Sequence, residues 1–361
     1  MKKIRKAILT GGGRATRLRP ITSTINKHLI PLANKPIIFH AIEKVVEAGV
    51  TDIFINTNPG EIELQKYIGD GGHWGVRINF FEQQGGPQGI AHVVKQAEKF
   101  IGDDPFLFYL SDNVILGSIK SFIDDFAVSD FDSMLAFSKV PDPERFGVPV
   151  LDKDGLLLDV IEKPKNPSSD FAVTGIYLYS PKVFFKAFNH IEKSDRGEYE
   201  ISSIHSYLLK NKFRVGHKEI TGWWKDTGKP EDLILANQLL LKEMMPEHFK
   251  IEGMVEAGAQ IEGLVRVGVG ATINKNVKIT GPVLIGENCT LEDCVIYPNT
   301  TIGAGSIIRK AEIKDSILLN KCKIDAEIKL SESIVGSDVS IGKHQSGFQK
   351  MIVGDNTLLE L

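Results

Sequence analysis

Hydrophobic positions along the chain follow two different periods, and the change falls near residue 250. Before it, short apolar runs alternate with helix-spaced segments. Ala7-Ile8-Leu9, Ile53-Phe54-Ile55, Val76 to Phe81 and Phe106 to Leu110 read as strands. Between the first two, Ile37, Ile38, Ala41, Ile42, Val45 and Val46 recur at helical spacing, with Pro36 in the first turn and Gly49 as the stop. Glu61 to Ile68 and Ile90 to Phe100 read as further helices. Strands alternating with helices predict right-handed βαβ units and a mostly parallel sheet, whose ligands sit at the carboxyl ends of the strands. From 132 to 180 the pattern is richer in strands: Met134 to Phe137, Gly147 to Leu151, Leu156 to Glu162 and Val173 to Tyr179, with Asp154-Gly155 as a hairpin turn. Such an insertion would lay a β-rich wall over one side of the sheet. Ile201 to Leu209 and Glu231 to Met245 read as the closing helices, the last stopped by Pro246.

After about Lys250 the period becomes six. Ile261, Val267, Ile273, Ile279, Ile285 and Leu291 form one register, and Val265, Ala271, Val277, Val283, Cys289 and Val295 a second. Turn formers such as Gly268, Asn274, Gly286 and Asn288 lie between them. Neither an α-helix nor an ordinary strand has this period. Hexapeptide repeats do, each forming one short face of a left-handed parallel β-helix. The phase is expected to slip near Tyr297 and to recover at Ile302 and Ile308. These patterns predict an α/β domain over 1–245 and a β-helix over 250–361, with an exposed end coil or flat face suited to homo-oligomer formation.

With 361 residues, 42% of them hydrophobic, each domain can bury its own core. A net charge of -3 argues against nucleic acid as the main partner. No apolar run is long enough to span a bilayer, and the apolar run after the basic start stops at Gly11, before an h-region could form. Cys289, Cys294 and Cys322 form no C-x-x-C pair and read as reduced residues of a cytoplasmic protein.

The candidate chemistry begins where the first strand ends. Gly11, Gly12 and Gly13 let the backbone approach a ligand, and Arg14, Arg17, Arg19 and Lys27 supply fixed cations for a polyphosphate. Alone, such glycines make only a mobile turn; no Gly-Lys-Ser/Thr follows, and the third glycine of a dinucleotide fingerprint is missing. Gln84-Gly85-Gly86-Pro87-Gln88-Gly89 offers an amide with the donor and acceptor of a pyrimidine edge, although by itself it is a turn before a helix. Asp112 follows a buried strand, Glu162-Lys163-Pro164 pairs a carboxylate with an ammonium, and Trp223-Trp224-Lys225-Asp226-Thr227-Gly228 carries a second aspartate. A helix cap for Asp112, a solvated pair for Glu162 and Lys163, and a turn for Asp226 are the plain structural alternatives. Two separated aspartates facing a triphosphate suggest Mg²⁺, which needs few protein carboxylates.

Together these stretches resemble the sugar-1-phosphate nucleotidylyltransferases, and within them the long thymidylyltransferase type with a β-helix tail. The resemblance runs from Lys6 to about Leu241 and returns at Met351-Ile352-Val353-Gly354-Asp355. It is carried by the opening loop with Lys27-His28-Leu29-Ile30-Pro31, by Glu162-Lys163-Pro164, by Arg196-Gly197-Glu198 and by Trp224-Lys225-Asp226-Thr227-Gly228. The family pattern G-G-x-G-T-R stands here as Gly12-Gly13-Arg14-Ala15-Thr16-Arg17, with alanine at the last glycine, tolerable only if its φ stays negative.

The resemblance implies a Rossmann-like (GT-A-like) catalytic domain and attack of a sugar 1-phosphate on the α-phosphorus of dTTP or UTP. It assigns Gly11, Gly12, Gly13, Ala15, Thr16, Arg17, Lys27, Gln84, Gly89 and Asp112 to the nucleotide. It assigns Gly147, Glu162, Lys163, Thr174 and Tyr177 to the sugar phosphate, and Asp112 and Asp226 to Mg²⁺. Arg17, Lys27, Asp112, Lys163 and Asp226 are the implied catalytic set, with Arg196 as a brace. Thymine and uracil share a Watson–Crick edge, so a uridylyltransferase stays open, as does a regulatory paralogue that only binds sugar nucleotides. An added acetyltransferase activity would need a histidine base, and the tail offers only His344.

Overall fold

The computed structural model describes residues 2–13, 15–220, 222–342 and 348–360. In chain order the first elements are β1 (Lys6–Thr10), β2 (Pro31–Leu32), β3 (Lys35–Pro36), α1 (Ile37–Glu47), β4 (Asp52–Thr57), α2 (Glu63–Ile68) and β5 (Arg77–Glu82). Then come α3 (Ile90–Gln96), α4 (Glu98–Ile101), β6 (Phe106–Tyr109), β7 (Asn113–Ile115), α5 (Lys120–Val128), β8 (Ser133–Lys139), β9 (Gly147–Leu151) and β10 (Leu157–Glu162). They are followed by β11 (Phe171–Tyr179), α6 (Val183–Phe188), α7 (Ile201–Lys210), β12 (Val215–Glu219), β13 (Trp224–Asp226) and α8 (Pro230–Glu243). Short strands β14 (Met254–Val255) to β32 (Leu358–Glu360) complete the chain. Two compact units result: 1–13 with 38–224, and 14–37 with 225–361.

The first unit is built on a seven-stranded sheet in the order β12-β8-β11-β6-β1-β4-β5. All neighbours are parallel except β11, which runs antiparallel to β6 and β8. Strands buried on both faces read as continuous apolar runs, and Phe106-Leu107-Phe108-Tyr109 of β6 is wholly buried. Helices α3, α6 and α7 cover one face through Val94, Phe184, Ile204 and Leu208. The expected helix over 90–100 breaks at Ala97 into α3 and α4. Helices α5 and α6 and strands β7 and β12 were not legible as elements; α5 buries Phe122, Ile123 and Phe126 while exposing the ion pair of Lys120 with Asp124. The predicted hairpin is β9–β10, antiparallel, with Glu162 opposite Gly147.

In the second unit the tail forms three sheets of six or seven short parallel strands, consistent with the left-handed β-helix expected from the repeats. Val267, Ile273, Ile279, Ile285 and Leu291 stack inside it with almost no exposure. The phase slips earlier than expected, at Asp293 rather than near Tyr297. There the step from Leu291 to Ile296 is one residue short, and Ile296 pairs with Ile279 on the coil beneath. Short steps recur from Ile308 to Ile313, Ile313 to Leu318 and Leu330 to Val335. Each holds one non-glycine residue in the left-handed region: Asp293 at φ 47°, Lys310 at 58°, Asp315 at 47° and Glu332 at 47°. Left-handed residues also turn full six-residue corners, at Asn288, Asn299, Lys321 and Asp338, so the short corners differ in length alone, and the strand register stays intact. The three cysteines are free and buried in the stack, and burial pushes the Cys294 and Cys322 thiols up to about 12.

Residues 15–37 and α8 belong to this second unit. Asn237 on α8 accepts from Ala33 N at 2.8 Å and donates to Asn299 O at 3.3 Å. Gln238 donates to Asp315 at 3.1 Å, and Asn34 Nδ2 donates to Ile302 O at 3.0 Å. Asn34 reaches that carbonyl from the β2–β3 turn, where Ala33 and Asn34 are both left-handed.

Candidate active site

Within the first unit, the carboxyl ends of β1, β4 and β6 are tied together. Ser111 N donates to Thr10 Oγ1 at 2.9 Å, and Ser111 Oγ donates to Thr10 O, so the turn bearing Asp112 is locked to the start of the glycine loop. From β4, Asn56 Oδ1 accepts from Gly11 N at 3.2 Å and Asn58 Oδ1 from Gly13 N at 2.9 Å. Gly11 must lack a side chain: a Cβ would lie 2.6 Å from Asn56 O, 2.7 Å from Leu64 Cδ2 and 2.8 Å from Ile55 Cγ2. Gly13, at φ 120°, has open space instead and needs glycine for its conformation. The loop is thus a fixed platform, held by asparagines that the sequence reading did not single out. Their signal was Thr57-Asn58-Pro59-Gly60, a turn at the end of a buried strand.

Asp112 is half-buried, and its Oδ1 accepts from Asn113 Nδ2 at 2.7 Å. The helix-cap alternative fails here, because Asn113–Ile115 is a strand and not a helix. The Trp224 indole donates to Asn113 Oδ1 at 2.8 Å and to Thr174 O at 2.9 Å. The Thr174 hydroxyl donates to Ala136 O at 3.0 Å and is fully buried, so this residue serves the sheet rather than offering its hydroxyl to a ligand.

Glu162 ends β10. Arg196 lies 3.7 Å and Lys163 3.6 Å from its Oε1. Burial pushes its carboxyl above the usual range, with Lys163 pulling the other way and Glu200 reinforcing the rise. Arg196 is fixed in turn by Glu200, whose Oε1 also accepts from Ser194 Oγ at 2.7 Å. Glu200 and Ser194 thus join Arg196 around Glu162, and the sequence reading missed both. A Cβ on Gly147 would come 3.5 Å from Glu162 Oε2, so glycine keeps that carboxylate reachable. Lys163 is left-handed at φ 46°, with its N–H donating to Phe146 O at 2.9 Å. A non-glycine residue held there is a local cost that the chain also carries at the corners of its β-helix. Tyr177 is buried, and burial, then Glu162, then Asp112 push its phenol well above the ordinary value. Its ring packs at a tilt against His205, whose burial lowers its pKa to about 3 and keeps it neutral on Tyr179.

The expected base-reading loop runs out from β5. Gln84 is exposed, and its backbone is clamped by the Gln96 amide, which accepts from Gln84 N at 3.3 Å and donates to Gln84 O at 2.9 Å. Gly89 sits at φ 92° against the Tyr199 backbone, 2.5 Å from where a Cβ would stand.

The second unit holds the rest of the predicted set, Ala15, Thr16, Arg17, Lys27 and Asp226. Ala15 is left-handed, at φ 40° and ψ 42°, which departs from the expectation that alanine would keep a negative φ. Its carbonyl accepts from Leu18 N at 3.0 Å and Thr22 Oγ1 at 2.8 Å, closing the turn Thr16–Leu18 that presents Thr16 and Arg17, both exposed. A Cβ on Gly228 would meet Asp226 Oδ2 at 2.7 Å and Arg17 Nη2 at 3.4 Å, so this glycine leaves open the space beside a carboxylate and a guanidinium. Lys225 pairs with the buried Asp232 of α8 at 2.7 Å, which anchors the strand carrying Asp226. Lys27 opens the turn Lys27–Leu29, capped by Asn26, which accepts from His28 N at 2.7 Å. Arg14 and His344 lie outside the described residues.

Among the described residues, no three His, Cys, Asp or Glu side chains converge on one point.

Residues 6–243 match the family described as nucleotidyl transferase, and residues 279–360 match the GMPPB C-terminal domain. Over 361 residues the chain is 35% identical to the low-salt glycan biosynthesis nucleotidyltransferase Agl11 of Haloferax volcanii, covering 99% of this chain and 100% of that one. It is 35% identical over 359 residues to the glucose-1-phosphate thymidylyltransferase of Streptomyces antibioticus, covering 99% of each. A solved structure of a putative glucose-1-phosphate thymidylyltransferase from Bacillus anthracis, in complex with a sucrose, matches with TM-score 0.60 and 36% identity, over 64% of this chain and 93% of that one.

Proposed function

The chain belongs to the nucleotidyl transferase family as a sugar-1-phosphate nucleotidylyltransferase, and we propose that it transfers the thymidylyl group of dTTP to glucose 1-phosphate, giving dTDP-glucose and pyrophosphate. The observation that carries this reading is the 35% identity, over nearly the whole chain, to a protein named for that reaction. A phosphate oxygen of the sugar 1-phosphate bonds to the α-phosphorus, the bond from that phosphorus to the bridging oxygen of the β-phosphate breaks, and pyrophosphate leaves with the electron pair. The protein's work is positioning and charge neutralisation.

Lys163 orients the attacking phosphate, while Glu162, reachable beside Gly147 and steadied by Arg196, takes sugar hydroxyls. Arg17 and Lys27 neutralise the α-phosphate and the leaving pyrophosphate. Gly11 and its neighbours carry the nucleoside, and Gln84 with Gly89 reads the base. Asp112 and Asp226 are the proposed Mg²⁺ ligands, and the bound ion would screen the repulsion between the two phosphates. By chain order the catalytic domain is taken as 1–245 and the β-helix as 250–361. A cytoplasmic setting is supported by three free buried cysteines, and no described helix is long and apolar enough to cross a membrane. A homo-oligomer is proposed from the open ends that a β-helix leaves.

The test is pyrophosphate release from glucose 1-phosphate with dTTP and, separately, UTP. Faster turnover with dTTP supports the proposal. Preference for UTP would replace it with a uridylyltransferase, and release with neither would leave a regulatory sugar-nucleotide binder.

A further inference from the structure

The turns that carry Arg17 and Lys27 have no sheet of their own. Between these two residues the chain passes through Ile21–Ser23 and reaches Thr24, which is exposed. Thr24 Oγ1 donates to Asp355 Oδ2 at 2.8 Å, across 331 residues of sequence, with Ile21 O a longer alternative at 3.5 Å. Asp355 belongs to the last turn of the β-helix, and its other oxygen accepts from Ser337 N, so the same carboxylate closes the coil beneath.

Two glycines admit this arrangement. A Cβ on Gly336 would come 2.5 Å from Gly354 C and 2.7 Å from Asp355 Oδ1, and a Cβ on Gly354 would come 3.0 Å from Pro20 O and 3.4 Å from Pro20 C. Coil, turn and loop are therefore stacked at backbone contact. Ten residues further on, Asn34 donates to Ile302 O, a second fastening on the middle of the same β-helix.

We propose that Asp355 is a positioning residue, through which the last coil of the β-helix holds the Arg17–Lys27 segment at the geometry needed to bind a nucleoside triphosphate. The inference rests on the phosphate-binding role proposed for Arg17 and Lys27. It makes the tail part of the site's architecture. A carboxylate at 355 suits the task because its two oxygens serve two masters at once: one N–H of the coil and one hydroxyl of the loop.

Removing the tail is too blunt a test, since α8 would lose its partners Asn299 and Asp315 as well. Point variants of the full chain separate the roles. Thr24→Val removes only the loop side of the bond; Asp355→Ala removes both; Asp355→Asn can still accept from Ser337 N and bond Thr24. With whichever triphosphate the wild type turns over, Thr24→Val and Asp355→Ala should each raise the triphosphate KM about three- to tenfold while the sugar 1-phosphate KM stays within twofold. The double variant should be no worse than Asp355→Ala, and Asp355→Asn should recover most of the loss. Hydrogen exchange of residues 15–30 in the ligand-free chain should be faster in Thr24→Val. An unchanged triphosphate KM with unchanged exchange in Thr24→Val would overturn the proposal. So would an equal rise in both KM values tracking a lowered melting temperature, which marks a coil cap alone. The exchange readout needs no turnover, so an inactive wild type would count against the functional reading and leave the positioning claim testable by itself.

Discussion

Glu162 and Arg17 are both proposed to meet phosphate-bearing substrates, yet they are held in opposite ways. Glu162 ends a strand, faces Gly147 in register and is flanked by Lys163 and Arg196, with Glu200 and Ser194 behind. Its surroundings come from one sheet-based unit. Arg17 stands exposed on a three-residue turn behind a left-handed alanine, in a segment that buries Leu18, Ile21 and Ile30 and is hydrogen-bonded to the β-helix from Thr24 and Asn34. A sheet supplies position through many neighbours at once, so one loss is absorbed. A segment outside the sheet takes its position from its own buried side chains and from bonds distant along the chain, so losing such a bond shifts its exposed charged tips. The sugar side should therefore fail by chemistry when its charges are removed, and the triphosphate side should fail by geometry as well.

The largest effect should come from the two aspartates, one in each unit. Asp112→Asn and Asp226→Asn are each expected to fold normally and to lose turnover by about a hundredfold or more, since asparagine keeps the shape but is a poor Mg²⁺ ligand. Turnover against Mg²⁺ concentration, beside thermal melting, checks this. Wild-type turnover at limiting Mg²⁺ in either variant would make that aspartate structural and remove its half from the comparison.

Next is Lys163→Ala. Loss of one charge-assisted phosphate contact costs about 1.5–3 kcal/mol, or roughly ten- to a hundredfold in sugar 1-phosphate turnover, with triphosphate affinity nearly intact. A binding titration that showed equal weakening of the triphosphate would refute the division into sugar and triphosphate sides.

A smaller effect concerns Glu162 and pH. Because burial raises its pKa in the folded state, the folded chain holds that proton at pH values where the unfolded chain has released it. Stability then falls as pH rises from the ordinary carboxylate range through the raised value. Glu162→Gln removes this loss, so its melting temperature relative to wild type should be higher at pH 8 than at pH 4. A constant difference across that range would mean that Lys163 and Arg196 compensate the burial fully.

The smallest effect is expected from Ala15→Gly. The left-handed turn costs alanine about 1 kcal/mol, and glycine gives back a comparable amount in the unfolded chain. Melting should barely move, while triphosphate KM changes by no more than about threefold. A larger drop in KM would show that the methyl group itself keeps the loop away from the phosphates.

What the sequence revealed follows the same division. The period-two and period-3.6 segments and the six-residue repeat are dense local signals, so the parallel sheet, the hairpin at Asp154-Gly155 and the β-helix could all be read in advance. Strand β7 could not, because three residues carry no period, and with it went the reading of Asp112 as a helix cap. The candidate residues carried by short motifs were named, but their supports were not. Asn56, Asn58 and Asp355 act through pairings distant along the chain, Glu200 through a local one with Arg196, and nothing at their own positions marks them as different from ordinary turn residues. The grouping of residues 14–37 with the β-helix is of this kind too, since the segment is separated from the tail by more than two hundred residues.

The shortened corners of the β-helix bear on how such a chain can vary between organisms. At Asp293, Lys310, Asp315 and Glu332 one residue is missing from a corner, yet the strands above and below still pair Ile279 with Ile296, Ile296 with Ile313 and Leu318 with Val335. Deleting a residue from an ordinary strand would turn every later side chain to the opposite face. Here a deletion confined to a corner is erased before the next strand begins. Corners are thus the places where relatives can differ in length without any change in the interior, and aligning them by a rigid six-residue ruler would misplace everything downstream of Leu291.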